Sequence, residues 1–224
     1  MIESLGGTLL DNVNSAAAAT HVIAGDGIAT LRRTPKFMIC MCRTGKILDV
    51  SWLIQSFKAG KRLNCQDFIL LDKSAEKKYE FTMTESIHNG ENVRASRGGL
   101  LGGYSVHFCK GVAGNSAPPA DEMELIVSAA GGFNLRSITS RSTKDIEPSK
   151  ILIITSDPAP PVQLNLKDVK RLKALGSGVF NIIWLFRCIT TQNLQLIEHN
   201  TVSSKPQTKK ATQLNSRITL NSLG

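Results

Sequence analysis

The sequence predicts an α/β protein built from two tandem units, each a small parallel sheet flanked by helices. An internal repeat is the first observation behind this. Gly6-Gly7 opens a series of short apolar runs and a helix that closes at Asp49-Val50-Ser51-Trp52. Gly131-Gly132 opens the same series, closing at Asn181-Ile182-Ile183-Trp184. The Gly pairs lie 125 residues apart and the Trp residues 132 apart, far beyond the roughly 20–50 residues of a solenoid repeat. The second observation is that the copies are unequal. The first opens inside its first helix, so its unit is expected to lack a first strand, with ladder groups exposed on both neighbours.

In the first unit (1–71), Glu3–Leu5 reads as a last helical turn stopped by Gly6-Gly7. Thr8–Leu10 and His21–Ala24 read as short strands. Arg32 to Arg43 reads as a helix with Pro35 tolerated in its first turn. Ile47–Val50 is a strand, and Ser51 is placed to N-cap a helix burying Trp52, Leu53, Ile54 and Phe57. Phe68–Leu71 is a last apolar segment. Residues 72–99 are charged and read as a linker with a helical turn around Phe81–Ile87.

The second unit (100–199) is complete. Tyr104–Cys109 is a strand, and Asp121–Ala130 a helix with acids in its first turn, where they favour the dipole. Phe133–Leu135 and Ile151–Thr155 are strands. Asn165–Leu175 is amphipathic, with Leu166, Val169, Leu172 and Leu175 on one face. Gly178–Phe180 is a strand, and Asn181 caps the last helix. Residues 200–224 are polar and basic and read as a disordered tail. Trp52, Trp184 and Phe37 read as core, and His21 and His107 as structural.

Composition narrows the function. No apolar run approaches the roughly 20 residues of a membrane span, and no signal-peptide pattern opens the chain. The five cysteines lie mostly in apolar stretches and read as reduced thiols of a cytosolic or nuclear protein. No metal-ligand spacing, P-loop, G-x-S-x-G or paired-carboxylate motif is present, so no cofactor and no catalysis are expected. The net charge of +9 suits an anionic partner. An aromatic content of 5% argues against a base-stacking surface.

Gly-Gly before the second strand and Trp opening the last helix, both in two copies, resemble the BRCT family. The segments carrying the resemblance are Leu5-Gly6-Gly7, Ala19-Thr20-His21-Val22, Arg32-Arg33-Thr34-Pro35-Lys36-Phe37 and Ile47-Leu48-Asp49-Val50-Ser51-Trp52-Leu53. Lys58-Ala59-Gly60, Gly103-Tyr104 and Gly111-Val112 extend it. The resemblance implies a nuclear, non-catalytic tandem module of the DNA-damage response that binds a phosphoserine or phosphothreonine peptide, such as a phosphorylated histone tail. It places phosphate at Thr34 and Lys36 and peptide at Arg33. Met38 reads chiefly as packing and is expected as a second peptide-binding residue, on the wall facing the second repeat. The physics agrees at Thr34 and Lys36, since a helix start offers free N–H groups, a favourable dipole, a hydroxyl and an ammonium. The plainer reading of the same residues is a solvated, capped helix start.

Two departures matter. The resemblance places the family's other phosphate ligands after the first strand, which is expected to be absent from this sequence. In a tandem pair of this family that the chain resembles, an acid that orients the arginine is implied in the last helix where Ile183 stands here. Preference for a ligand with a free C-terminus is thereby weakened. The rival function is a phosphate-independent module that docks a repair protein or a DNA end.

Overall fold

The computed structural model describes residues 1–25, 30–114 and 117–196. The expected tail, 200–224, lies outside them.

In the first unit, β1 (Val22–Ile23) runs parallel to β2 (Ile47–Leu48), pairing Val22 with Ile47 and Ile23 with Leu48. Helix α1 (Pro35–Arg43) connects them and α2 (Val50–Lys58) follows. Leu48 also bridges Ile69 in antiparallel sense. The second unit holds four parallel strands in the order β4-β3-β5-β6. These are β3 (Ser105–Phe108), β4 (Phe133–Asn134), β5 (Ile151–Thr155) and β6 (Gly178–Asn181). Helices α5 (Ala120–Ala129), α6 (Pro161–Leu164), α7 (Lys167–Ala174) and α8 (Ile182–Thr191) flank them.

The repeat is visible in atomic detail. Asp49 caps α2 and Asn181 caps α8, and the Trp three residues on is buried in each, with an indole N–H donating to a carbonyl 3.0 Å away. Gly6 (φ +68°) and Gly131 (φ +81°) both adopt the left-handed conformation that a side chain would strain. Ser51 is therefore not the cap: its N–H donates to Asp49 Oδ1 at 2.8 Å. Asp49 wins because a carboxylate reaches the free N–H groups from one position outside the helix.

Thr8–Leu10 forms no strand, contrary to its apolar pattern. Its counterpart β4 is held entirely by β3, and the described residues of the first unit contain no strand in that place. A strand without a ladder partner leaves its backbone groups unpaired, so the segment stays irregular. Ile54 and Phe57 are also exposed, at 39% and 47%, because α2 packs only one narrow face. Leu166 and Leu175 are exposed too, while Val169 and Leu172 carry the packing of α7.

Residues 72–99 are more ordered than a charged linker suggests. They form α3 (Lys73–Tyr79) and α4 (Met83–Arg97). Asp72 caps α3, accepting from Ala75 N at 2.9 Å, and the Glu76 carboxylate accepts from Met83 N at 2.9 Å. Phe81 and Met83 join Phe37, Met41, Ile47, Leu70 and Ala75 in one core. The opposite side of α1 enters a second core: Met38, Ile39 and Cys42 join residues of α5 and α8, while Cys40 Sγ donates to Ala16 O at 3.7 Å. Six of the nine residues of α1 are buried, as befits a helix shared by two cores.

The five cysteines are free thiols, and burial pushes Cys42, Cys109 and Cys188 up to about 11. At neutral pH they stay protonated and weakly nucleophilic. Among the described residues no helix is long and apolar enough to cross a membrane, and no cluster of His, Cys, Asp or Glu offers a metal site.

Ile39, 1% exposed, reports on the shared helix. Ile39→Ala is expected to lower unfolding free energy by about 2–5 kcal/mol in urea titrations. Ile54→Ala on α2 should stay within about 0.5 kcal/mol of the parent, so similar losses would contradict the assigned burial.

Candidate functional site

The N-terminus of α1 is built by a short run of polar choices. Thr34 is extended (φ −80°, ψ 158°) and its Oγ1 accepts from Phe37 N at 3.2 Å, making it the N-cap. Pro35 occupies the first helical position, where its missing N–H costs nothing. Of the first-turn donors, Phe37 N–H is thus occupied and Pro35 has none. Among the described residues the Lys36 N–H has no partner. The Thr34 side chain is exposed, and as a cap it uses only its acceptor capacity, leaving the hydroxyl proton to donate outward.

Lys36 lies across the helix start, and its Nζ donates to Leu10 O at 2.7 Å. Its charge is therefore fixed at the rim of the site. Met38 does not line an exposed wall. It is 1% exposed and packs in the core between the units, because the helical turn points it toward α5 and α8 rather than outward. The sequence pattern marks it as apolar but cannot say which side of a doubly buried helix faces a ligand.

Arg33 is the least ordinary residue here. Its guanidinium carbon stands 5.0 Å from the ring centroid of Tyr79 on α3 and 5.0 Å from that of Phe186 on α8. Its own N–H donates to the Tyr79 hydroxyl at 3.4 Å. Burial holds its pKa below the usual arginine value, with the Tyr79 hydroxyl opposing. Among the described residues its side chain has no carboxylate or carbonyl acceptor. Cation–π contacts offset part of the desolvation, but the planar fork of donors remains unused.

Tyr79, Phe186 and Asp72 are residues that sequence reasoning missed. Asp72 ties the incoming loop, accepting from Leu31 N at 2.7 Å as well as from Ala75. Its position just before a charged helix was the available signal, being an N-cap residue type. Tyr79 and Phe186 carry no local signal, since only the packing of α3 and α8 brings them to Arg33.

No protein-family model matches the chain. In sequence it is similar to mediator of DNA damage checkpoint protein 1 of Homo sapiens, 30% identical over 164 residues, which is 73% of this chain and 7% of that protein. The Mus musculus protein of that name is 34% identical over 135 residues, 60% of this chain and 7% of the relative. PAX-interacting protein 1 of Bos taurus is 30% identical over 128 residues, 57% and 11% respectively. The chain thus spans 7% of the length of the mediator proteins. In structure it is similar to the crystal structure of S. pombe Brc1 BRCT5-BRCT6 domains, with a TM-score of 0.67 over 91% of this chain and 90% of that one, at 18% identity. The chain folds as a tandem BRCT module.

Within the tandem BRCT module, the site lies where the first repeat, the helices between repeats and the last helix of the second repeat meet. Ile183 stands one turn before Phe186 on α8 and is 39% exposed. No carboxylate of α8 approaches Arg33, because α8 contains none. Glu80 pairs with Arg187 instead, at 3.0 Å on the surface.

The Asp72 carboxyl is held below the usual range by the Leu31 N–H first and the Ala75 N–H next. A lowered pKa means that this support is fully present above the ordinary Asp value and is lost as pH falls through the folded value. Asp72→Ala should cost about 0.5–2 kcal/mol at pH 7 and much less at pH 2.5, read by urea unfolding at both values. An equal cost at both would contradict an ionic cap.

Proposed function

We propose that this tandem BRCT module is a non-catalytic phosphopeptide-binding scaffold of the DNA-damage response, acting in the nucleus. The observation that carries the reading is Arg33: half-buried between Tyr79 and Phe186, without an acceptor among the described residues, and adjacent to an α1 start with an unused donor. A cation held in that state fits an external acceptor, such as a peptide carbonyl or carboxylate. Phosphate would sit beside it, taking the Thr34 hydroxyl, the Lys36 N–H and the Lys36 ammonium once it leaves Leu10 O. The names of the sequence relatives, a DNA-damage checkpoint mediator and a PAX-interacting protein, support the same cellular setting.

One observation favours DNA as a second ligand. His21, Arg43, Lys46, Arg62 and Arg94 line a cleft of about 590 Å³ at the other end of the sheet, with Glu91 as the acid among them. Backbone-phosphate binding there would weaken steeply with salt.

Matched phosphoserine and unmodified peptides distinguish these readings by calorimetry. The phosphorylated form should bind at least tenfold tighter, and Lys36→Met should remove about 1.5–3 kcal/mol of that difference. Arg33→Ala should weaken both peptides. Equal affinity for both forms, or an unaffected Lys36→Met variant, would exclude the phosphate site.

A further inference from the structure

Helix α7 holds the place in the second repeat that α1 holds in the first, yet only one of its sides is buried. The Trp landmarks, 132 residues apart, set the correspondence. Phe37 then matches Val169, and each faces the core of its own repeat. Met38, Ile39 and Cys42, which join α1 to α5 and α8, match Lys170, Arg171 and Ala174. Met38 and Cys42 are each 1% exposed, whereas Lys170 and Ala174 are fully on the exposed side of α7. The face by which α1 packs on the next repeat is therefore charged and open on α7.

Apolar groups border those charges. Leu166, the residue before α7, is 43% exposed, and Val162 in the adjoining α6 is 70% exposed. The amphipathic spacing of 165–175 predicts Leu166 in the core with Val169 and Leu172, but the core fills without it. Large apolar side chains exposed together and rimmed by charge mark an interaction surface.

Charge selects the occupant. Asp168 is the one acid of α7, and Arg171 pairs with it at 3.3 Å. Arg171 also donates to Ile138 O at 2.7 Å, so its fork is committed to the fold. Lys167 and Lys170 are neighbours on the helix surface, and among the described residues neither side chain has an acceptor. The positive field disfavours a second copy of a chain of net charge +9. It equally disfavours the chain's own residues 197–224, which carry Lys205, Lys209, Lys210 and Arg217 against Glu198 alone. A nucleic-acid backbone would use the lysines but gain nothing from Leu166 and Val162. An acidic segment with apolar side chains uses both.

We propose that the outer face of α7, with Val162 and Leu166 at its start, docks a helical segment of a partner protein that carries carboxylates three or four residues apart beside an apolar side chain. The carboxylates pair with Lys167 and Lys170, and the apolar side chain covers Leu166 and Val162. The occupant is a helix because helices α5 and α8 cover the corresponding face of α1. Docking needs no phosphate and does not rest on the phosphopeptide reading above.

The test uses the whole chain and three synthetic helical peptides on an alanine background. The first carries glutamates three and four residues apart beside leucines. The second replaces the glutamates with glutamines, and the third replaces the leucines with serines. By calorimetry the first should bind at least tenfold tighter than either of the others, and its titration should shift the NMR methyl signals of Val162 and Leu166. Lys167→Glu with Lys170→Glu should weaken it at least tenfold. Lys58→Glu with Lys61→Glu, the same charge change on the surface of the first repeat, should leave it within about twofold. The proposal is overturned by no binding, by equal binding of the glutamine or serine peptide, or by equal loss in both charge variants. Duplex DNA that binds tighter than the first peptide through Lys167 and Lys170 would overturn it in favour of a nucleic-acid surface. Contacts of Leu166 with residues 197–224 or with a second copy, seen by NMR in the protein alone, would overturn it as well.

Discussion

The structure depends on α1 being buried on two sides at once. Phe37 and Met41 face the core of the first repeat and α3–α4, whereas Met38, Ile39 and Cys42 join the core with α5 and α8. Each large apolar side chain so buried contributes about 1.5–3 kcal/mol, and here the gain links the two repeats rather than stabilising either alone. Among the described residues the first repeat pairs two strands, β1 and β2, so much of its packing falls on its helices. Its order comes from the helix it shares.

That sharing also positions the chemistry. The start of α1 cannot move without disturbing both cores, so Thr34 and Lys36 are presented on a rigid element. Arg33, the residue before the cap, is gripped by one ring from the inter-repeat helices and one from the second repeat. A site assembled from three parts of the chain reports their correct assembly: if the repeats separate, Arg33 loses its Phe186 face and returns to water. The loop leading in is pinned at Leu31 by Asp72, so the same inter-repeat segment supports both the backbone and the guanidinium.

Much of this was legible in the sequence, and the limits are physical. Helices α1, α5 and α8 follow from apolar spacing and caps, and the paired Gly-Gly and Trp landmarks identify the repeat. Strand β5 is a continuous apolar run, as a strand buried on both faces must be. Thr8–Leu10 misleads because its composition is strand-like while its ladder partner is missing from the described residues. The 72–99 segment misleads because α4 has little amphipathic pattern and is held by a few buried residues, Met83, Ser86 and Gly90. At the candidate site, Arg33, Thr34 and Lys36 fall within one four-residue stretch that the sequence itself singles out. Tyr79 and Phe186 are not singled out, since long-range packing alone brings them to Arg33. Met38 shows the converse limit, as periodicity reports burial but not which partner covers the residue.

The central claim is that α1 makes the two repeats one cooperative unit. Trp52 and Trp184 report on them separately, one buried in each repeat. Thermal unfolding of Trp52→Phe and Trp184→Phe, each followed by the fluorescence of its remaining tryptophan and by circular dichroism, is the most direct measurement. After allowing for any stability change of each variant, the fluorescence and dichroism transitions should coincide within each one. A first-repeat probe that melts well before the bulk of the secondary structure, leaving the second repeat folded, would contradict the account.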